Sequence, residues 1–382
     1  MRKLAILGVT GSIGTQVLEV LKSRNDYELV AVSCNKNISL LENILKRNKT
    51  IKYVFVRDKI ESKKLEKKYE NIIFFSEENG LVDLVRFCCC DVFVNAILGF
   101  DGLLPSLEII KNNKILLLAN KESLVIGGAI INKFLKKYKK AKLIPIDSEH
   151  VAISKCLLNK NKNKISELII TASGGKFFDK TKDELKNIKK SDAISHPNWN
   201  MGKKITIDSN TMMNKTFELI EAYYLFNVNF KKIKAIVNKE SFVHGIIKFD
   251  DETLLQVSKP TMLEPIEFAL NYYKENIKKY DDVEINTFEK YKFYDLNEER
   301  FSLLKYAKLA VKYEGNYGCA LNAADEEAAN AFFENKIMFY QIEDVIDKVM
   351  KDFKFRRTNS IQNILKTDFE VRELARKVIE EL

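Results

Sequence analysis

The sequence predicts an α/β protein in three parts: an N-terminal doubly wound sheet, an α+β middle, and a C-terminal α-helical bundle. Three observations carry this. Short apolar runs alternate with amphipathic stretches as far as Asp147, the rhythm changes after it, and from residue 301 the periodicity is helical. At 382 residues the chain is also longer than one core usually serves.

In order, "KLAILG", "ELVAVS", "KYVFV", "IIFFS", "DVFVNAI", "KILLLA" and "AKLIPI" read as strands. Residues 12–24, 38–49, 103–112 and 121–138 carry helical periodicity between them, and that βαβα alternation calls for a parallel sheet covered on both faces. Beyond Asp147, "ISELIITASGG", "KKIKAIVN" and "ETLLQVS" read as a second sheet, with helices near 148–158, 213–226 and 261–270. "LLKYAKLAVKY", "ALNAADEEAANAFF", "IEDVIDKVM" and "VRELARKVIEEL" make the bundle. The expected division is 1–147, 148–270, a linker over 271–298, and 299–382.

With 46% hydrophobic and 30% charged residues the composition is that of an ordinary soluble protein. No apolar run approaches the roughly 18 to 20 residues of a membrane span, and "MRKLAILGV" leads straight into a strand, leaving no room for a targeting peptide. The six cysteines lack CxxC spacing, which suits a reducing cytosol. A net charge of +10 would suit acidic partners. The Lys-rich runs carry no nucleic-acid signature, however, so acidic metabolites fit better than DNA or RNA.

"LGVTGSIG" places Gly8, Gly11 and Gly14 between the first strand and the first helix. Glycines there let the backbone approach a pyrophosphate, and the helix N-terminus offers unpaired N–H groups, the mark of a Rossmann-like dinucleotide site. The second strand ends "VSCNKN", with no carboxylate from Ser33 to Asn37 to take a ribose diol, and Lys36 suits a 2′-phosphate. NADPH is therefore favoured over NADH.

The strand "AKLIPI" ends on Asp147, Ser148, Glu149 and His150. Ligands of open α/β sheets gather outside the carboxyl ends of strands, and on an extended segment Asp147 and Glu149 would point the same way. Carboxylates without clustered Cys or His select a hard cation, Mg²⁺ or Mn²⁺. Asn214, Lys215 and Glu218 share helical spacing and could add a third carboxylate, and "TASGGKF" sets Ser173 before a Gly pair suited to an anion. "SHPNWNMG" puts His196 and the sole Trp in a polar loop, which favours a mobile cover.

"LGVTGSIG", "LLLANKESLV", "IPIDSEH", "TASGGKF", "HPNWNMG", "IDSNTMMNK", "KPTM" and "ALNAADE" follow one another as in 1-deoxy-D-xylulose 5-phosphate reductoisomerases, a family this chain resembles over residues 4–330. The resemblance implies a cytoplasmic bacterial homodimer of the non-mevalonate isoprenoid pathway that uses NADPH and a divalent metal. It implies cofactor contacts at Thr10, Gly11, Ser12, Ile13, Asn35, Lys36, Asn37, Asn120, Glu122 and Gly202, and metal ligands at Asp147, Glu149 and Glu218. Substrate contacts follow at Lys121, Ser148, Glu149, Ser173, His196, Ser209, Asn214, Lys215 and Glu218, with Lys121, Glu149 and His196 catalytic. Trp199 and Met201 fall in a closing flap, and Met262 lines the pocket.

Four positions depart from the family pattern. Asn35 replaces a common glycine, Thr216 and Phe217 stand in "NKTFE" for the usual "NKGLE", Gly245 replaces serine after His244, and Asp325 replaces Asn in "ALNAADE". None removes an implied ligand.

Overall fold

The computed structural model describes residues 1–382 apart from 197, 200, 273–290 and 358–359. Its first seven strands are β1 (Arg2–Leu7), β2 (Tyr27–Cys34), β3 (Tyr53–Val56), β4 (Ile73–Phe75), β5 (Val92–Asn95), β6 (Ile115–Leu118) and β7 (Lys142–Pro145). Between them run α1 (Ser12–Leu21), α2 (Ile38–Arg47), α3 (Lys59–Lys68), α4 (Gly80–Phe87), α5 (Leu103–Lys111) and α6 (Glu122–Lys137). The strands pair in parallel in the order β4-β3-β2-β1-β5-β6-β7. The order reverses at β1, so a crevice opens between the carboxyl ends of β1 and β5. Leu4, Ile6, Val32, Val54, Val94, Leu117 and Ile144 are buried together because strands covered on both faces read as continuous apolar runs.

The chain continues through α7 (Ser148–Cys156), β8 (Ile165–Ala172), α8 (Lys182–Leu185), α9 (Lys190–Ala193), α10 (Lys203–Thr211), α11 (Met213–Phe226), β9 (Ile233–Val237), β10 (Val243–Phe249), β11 (Thr253–Val257), α12 (Leu263–Asn271) and β12 (Tyr294–Asp295). It closes with α13 (Lys305–Tyr313), α14 (Tyr317–Phe333), α15 (Gln341–Asp352) and α16 (Ile361–Glu380). The second sheet runs β11-β10-β8-β9-β12 and is mixed: β8 and β9 are parallel, the other pairs antiparallel. Alanines 320, 323, 324 and 328 of α14 are fully buried, and this small face admits the apolar stripe Ile342, Val345, Ile346 and Val349 of α15 into the same core.

Two compact units result. Among the described residues, one comprises 1–123, 131–147 and 262–272, the other 124–130, 148–261 and 291–382. This division cuts across the expected segments. Helix α12 packs Ile266, Ala269 and Leu270 into the core of the parallel sheet, where Tyr27 Oη donates to Leu270 O at 2.7 Å, and the C-terminal helices share one core with the mixed sheet. Of the expected linker over 271–298, residues 273–290 lie outside the described residues, and Tyr294–Asp295 pairs with β9. Among the described residues no helix is long and apolar enough to cross a membrane.

Candidate functional site

In the parallel unit, β1 hands over to α1 through the glycine turn. Gly8 takes φ +87, and a Cβ there would meet Ala96 O at 2.6 Å. Gly8 N–H donates to Ser33 Oγ at 2.7 Å and Val9 N–H to Ser33 O at 2.9 Å, which fixes the turn on β2. Gly11 caps α1 without a side-chain bond, so the first N–H groups of α1 lack a side-chain acceptor. Thr10, Gly11, Ser12 and Ile13 therefore form a cradle that fits a pyrophosphate. Asn35, Lys36 and Asn37 follow β2 exposed on the same edge, with Asn37 capping α2 through Leu40 N.

Three more predicted residues stand after β6. Asn120 is buried; its Nδ2 donates to Ile97 O at 2.8 Å, Gly99 O at 2.9 Å and Glu122 Oε2 at 3.0 Å. Glu122 Oε1 accepts from Gly99 N–H at 3.2 Å. These two side chains thus order the 97–102 loop over the crevice. Lys121 Nζ, also buried, donates to Asp147 Oδ2 at 2.5 Å.

The mixed-sheet unit gathers the rest. Helix α7 begins at Ser148, inside the helix expected near 148–158, so Glu149 sits in a first helical turn and not on an extended segment with Asp147. Met212, buried with φ +63, breaks the path between α10 and α11 and starts α11 in a new direction. Asn214, Lys215 and Glu218 then share one face, as their spacing predicts. Asn214 Nδ2 donates to Glu218 Oε1 at 2.6 Å, and Lys215 Nζ donates to Glu149 Oε1 at 2.9 Å, to Glu218 Oε2 and to Thr171 O. Burial works against the Lys215 charge, yet Glu149 and Glu218 outweigh it and hold its pKa above the ordinary lysine value. Ser148 Oγ donates to Glu149 Oε2 at 2.5 Å.

Ser173 lies two residues beyond Thr171, at the end of β8, and Gly174 and Gly175 turn the chain with φ +86 and +66. Ser209 closes the same turn: a Cβ on Gly175 would meet its carbonyl oxygen at 2.9 Å, while Asn210 Oδ1 accepts from Lys176 N–H at 2.7 Å. His196 Nδ1 accepts from the N–H groups of Asn198 and Trp199, both at 3.1 Å, so the ring proton sits on Nε2 and is donated to Ser173 Oγ at 2.9 Å. Burial lowers the His196 pKa to about 4 and keeps the ring neutral. Trp199 stacks edge-on to His244, with Met201 half-buried nearby in sequence; residues 197 and 200 lie outside the described residues. Gly202 precedes α10, and Met262 precedes α12 in the parallel unit.

Several contacts escaped the sequence reading. His150 is fully buried, with Nε2 donating to Glu218 O at 3.0 Å and Nδ1 3.4 Å from Glu221 Oε2. The i,i+3 spacing of Glu218 and Glu221 was the available signal. Lys204 Nζ donates to Asp208 Oδ2 at 2.7 Å and to buried Asp325, tying α10 to α14. Burial pushes the Asp325 carboxyl above its usual range, with Lys204 opposing. Nothing in the pattern links residues 204 and 325.

A glycine-turned parallel sheet and a second unit presenting carboxylates, lysine and serine define the chain as a two-unit dinucleotide-dependent oxidoreductase. It belongs to the 1-deoxy-D-xylulose 5-phosphate reductoisomerase family. Models of that family match residues 4–128, its C-terminal domain residues 143–226, and a further C-terminal domain residues 257–374. The reductoisomerase of Geobacillus sp. (strain WCH70) is 39% identical over 387 residues, covering 99% of this chain and 100% of its own. That of Bacillus cereus (strain AH187) is 39% identical over 383 residues with the same coverage. Among solved structures, the Zymomonas mobilis enzyme in complex with NADPH superposes with TM-score 0.89 at 31% identity, each chain fully covered. A reductoisomerase in complex with NADPH, fosmidomycin and magnesium gives TM-score 0.89 at 32% identity, covering 100% of this chain and 98% of that one.

Proposed function

We propose that this chain isomerises and reduces 1-deoxy-D-xylulose 5-phosphate to 2-C-methyl-D-erythritol 4-phosphate in the non-mevalonate isoprenoid pathway, with NADPH and Mg²⁺ or Mn²⁺. The observation that carries it is the Glu149–Lys215–Glu218 group, in which Lys215 and Glu218 are buried and Glu149 is partly buried. Two carboxylates already arranged around a positive charge, all their donor atoms oxygen, fit a hard cation, and Asp147, two residues before Glu149, is the third ligand in this reading. The glycine cradle fits the dinucleotide. When bound, NADPH supplies hydride and the cation supplies Lewis acidity.

The protein's own groups do the rest. Ser173, Ser209, Asn214 and Lys215 bind the substrate phosphate, and Ser148 its hydroxyl groups. Glu149 moves the proton of a substrate hydroxyl, and Lys121 steadies negative charge growing on substrate oxygen. Neutral His196 orients Ser173 through Nε2–H. Trp199 and Met201 cover the pocket, and phosphate binding far from the reacting carbons helps hold that cover and exclude water. In this reading the parallel-sheet unit binds NADPH and the mixed-sheet unit carries metal and substrate. The protein is a cytoplasmic homodimer that engages neither nucleic acid nor membrane.

The test is NADPH oxidation, followed by absorbance, with 1-deoxy-D-xylulose 5-phosphate and Mg²⁺. Substrate-dependent oxidation that disappears in chelator and in Glu149→Gln is the expected result. A folded, NADPH-binding protein that oxidises nothing with any divalent metal would sink the assignment.

A further inference from the structure

On the cofactor edge of the parallel unit one ion pair has no part in the reading above. Arg57 is the first residue after β3, and Asp101 lies in the 99–102 turn after β5. Their side chains pair, each about half exposed. In the sheet order, β2 and β1 lie between β3 and β5, so the pair spans three strand spacings, roughly 14 Å. It joins the segments that follow β3 and β5, across the carboxyl ends of β2 and β1.

The backbone of Arg57 is fixed there. Its N–H donates to Cys34 O at 3.1 Å, the last residue of β2, two before Lys36. Cys34 Sγ in turn lies 3.4 Å from Thr10 Oγ1 in the glycine turn. Arg57, Cys34 and Thr10 therefore stand in one row, with exposed Lys36 leaving from its middle. The neighbouring acid does not neutralise the row, because Asp58 is engaged in capping α3 through the N–H groups of Ile60 and Glu61, at 2.8 and 3.0 Å.

We infer that Arg57 is a specificity-determining residue for the cofactor, contacting its ribose 2′-phosphate together with Lys36 and exchanging Asp101 for that phosphate on binding. The inference rests on NADPH being the cofactor. An adenosine ribose seated at the end of β2 presents its 2′ position to the row. A guanidinium matches a phosphate dianion with two parallel N–H bonds, whereas a half-exposed ion pair is weak and screened by salt, so the exchange favours phosphate. NADH, lacking the phosphate, offers Arg57 nothing in return for Asp101. The sequence points only to Lys36 and the polar groups beside it, because Arg57 lies a full helix and strand further on.

The experiment is fluorescence titration of the full-length protein with NADPH and with NADH, in the wild type, Arg57→Ala, Arg57→Lys and Asp101→Asn. The wild type is expected to prefer NADPH. Arg57→Ala should weaken NADPH about tenfold or more while leaving NADH within about twofold, since a hydrogen bond to a charged group is lost for one ligand only. Arg57→Lys should recover part of that loss, and Asp101→Asn should tighten NADPH by up to about fivefold. Equal losses for both cofactors in Arg57→Ala, or an undiminished preference for NADPH, would overturn the role of Arg57 alone. An NADPH affinity that fails to rise in Asp101→Asn would overturn the exchange. A wild type without preference would refute the NADPH reading itself and the inference with it.

Discussion

Replacing Gly14 by alanine tests the glycine turn directly. A Cβ built at this position, on the first turn of α1, would lie 2.6 Å from Val9 Cα, 2.7 Å from Val9 C, and closer still to Gly8 O. Ordinary contact begins near 3.4 Å, so α1 must retreat from the turn by more than about 0.8 Å, and no flexible side chain can absorb the change. Alanine gains about 1 kcal/mol of helix propensity over glycine, but overpacking against backbone costs about 1–3 kcal/mol. The balance predicts a loss of about 1 kcal/mol in urea denaturation. NADPH affinity should fall about tenfold, because the N–H groups of α1 no longer meet the pyrophosphate at hydrogen-bond distance. A Gly14→Ala protein with unchanged stability and unchanged NADPH affinity would refute the reasoning.

Lys215→Ala should lower turnover roughly a hundredfold as well as weaken substrate binding, because phosphate binding energy also serves the closed state; steady-state kinetics with an unchanged turnover number and only a raised KM would count against this. Asp325→Asn should stabilise the protein by about 1 kcal/mol at pH 7, because burial outweighs the Lys204 pairing at Asp325 and Lys204 keeps its bond to Asp208. Burial raises the Asp325 carboxyl, so its favourable contribution is complete below the unfolded pKa and is lost as pH rises through the folded one. The advantage of Asn should therefore close as denaturation is measured towards about pH 4, and a less stable variant at pH 7 would contradict it. His196 has its pKa lowered from 6.5 to about 4, so its contribution is present above pH 6.5 and is lost as pH falls towards 4. Thermal midpoints should drop across that window less steeply in His196→Gln than in the wild type, and identical slopes would exclude the assignment.

The parallel sheet was legible because doubly covered strands are apolar throughout and their helices amphipathic, two periods that local sequence records well. Strand β10 was not. "VHGIIKF" holds a histidine and a glycine, and the reason for Gly245 is tertiary: a Cβ there would meet Ile153 Cδ1 of α7 at 2.9 Å. Helix α16 starts at Ile361, ten residues before its most periodic stretch, from a Ser360 cap that accepts from Asn363 N–H at 3.1 Å. At the site, helical spacing revealed the Asn214–Lys215–Glu218 face. Strand alternation does not describe the backbone at Asp147 and Glu149, because α7 begins between them. Pairs such as Lys204 with Asp325, or Arg57 with Asp101, join residues that only the folded topology makes neighbours.

The parallel pairing of β8 with β9 has a consequence for how the pocket comes into being. Ser173, His196, Trp199, Met201, Ser209, Asn214, Lys215 and Glu218 all lie in the one crossover connecting those two strands, residues 173–232. A parallel crossover is closed by a single long-range event, and closing so long a loop is entropically costly before its contacts form. The residues proposed here as phosphate contacts, flap and carboxylate ligand are thus gained or lost as one cooperative block, and amide exchange through that crossover should report them with one common opening free energy. The β10–β11 turn at residues 250–252 belongs to no such block, so a cut or insertion there leaves the crossover whole.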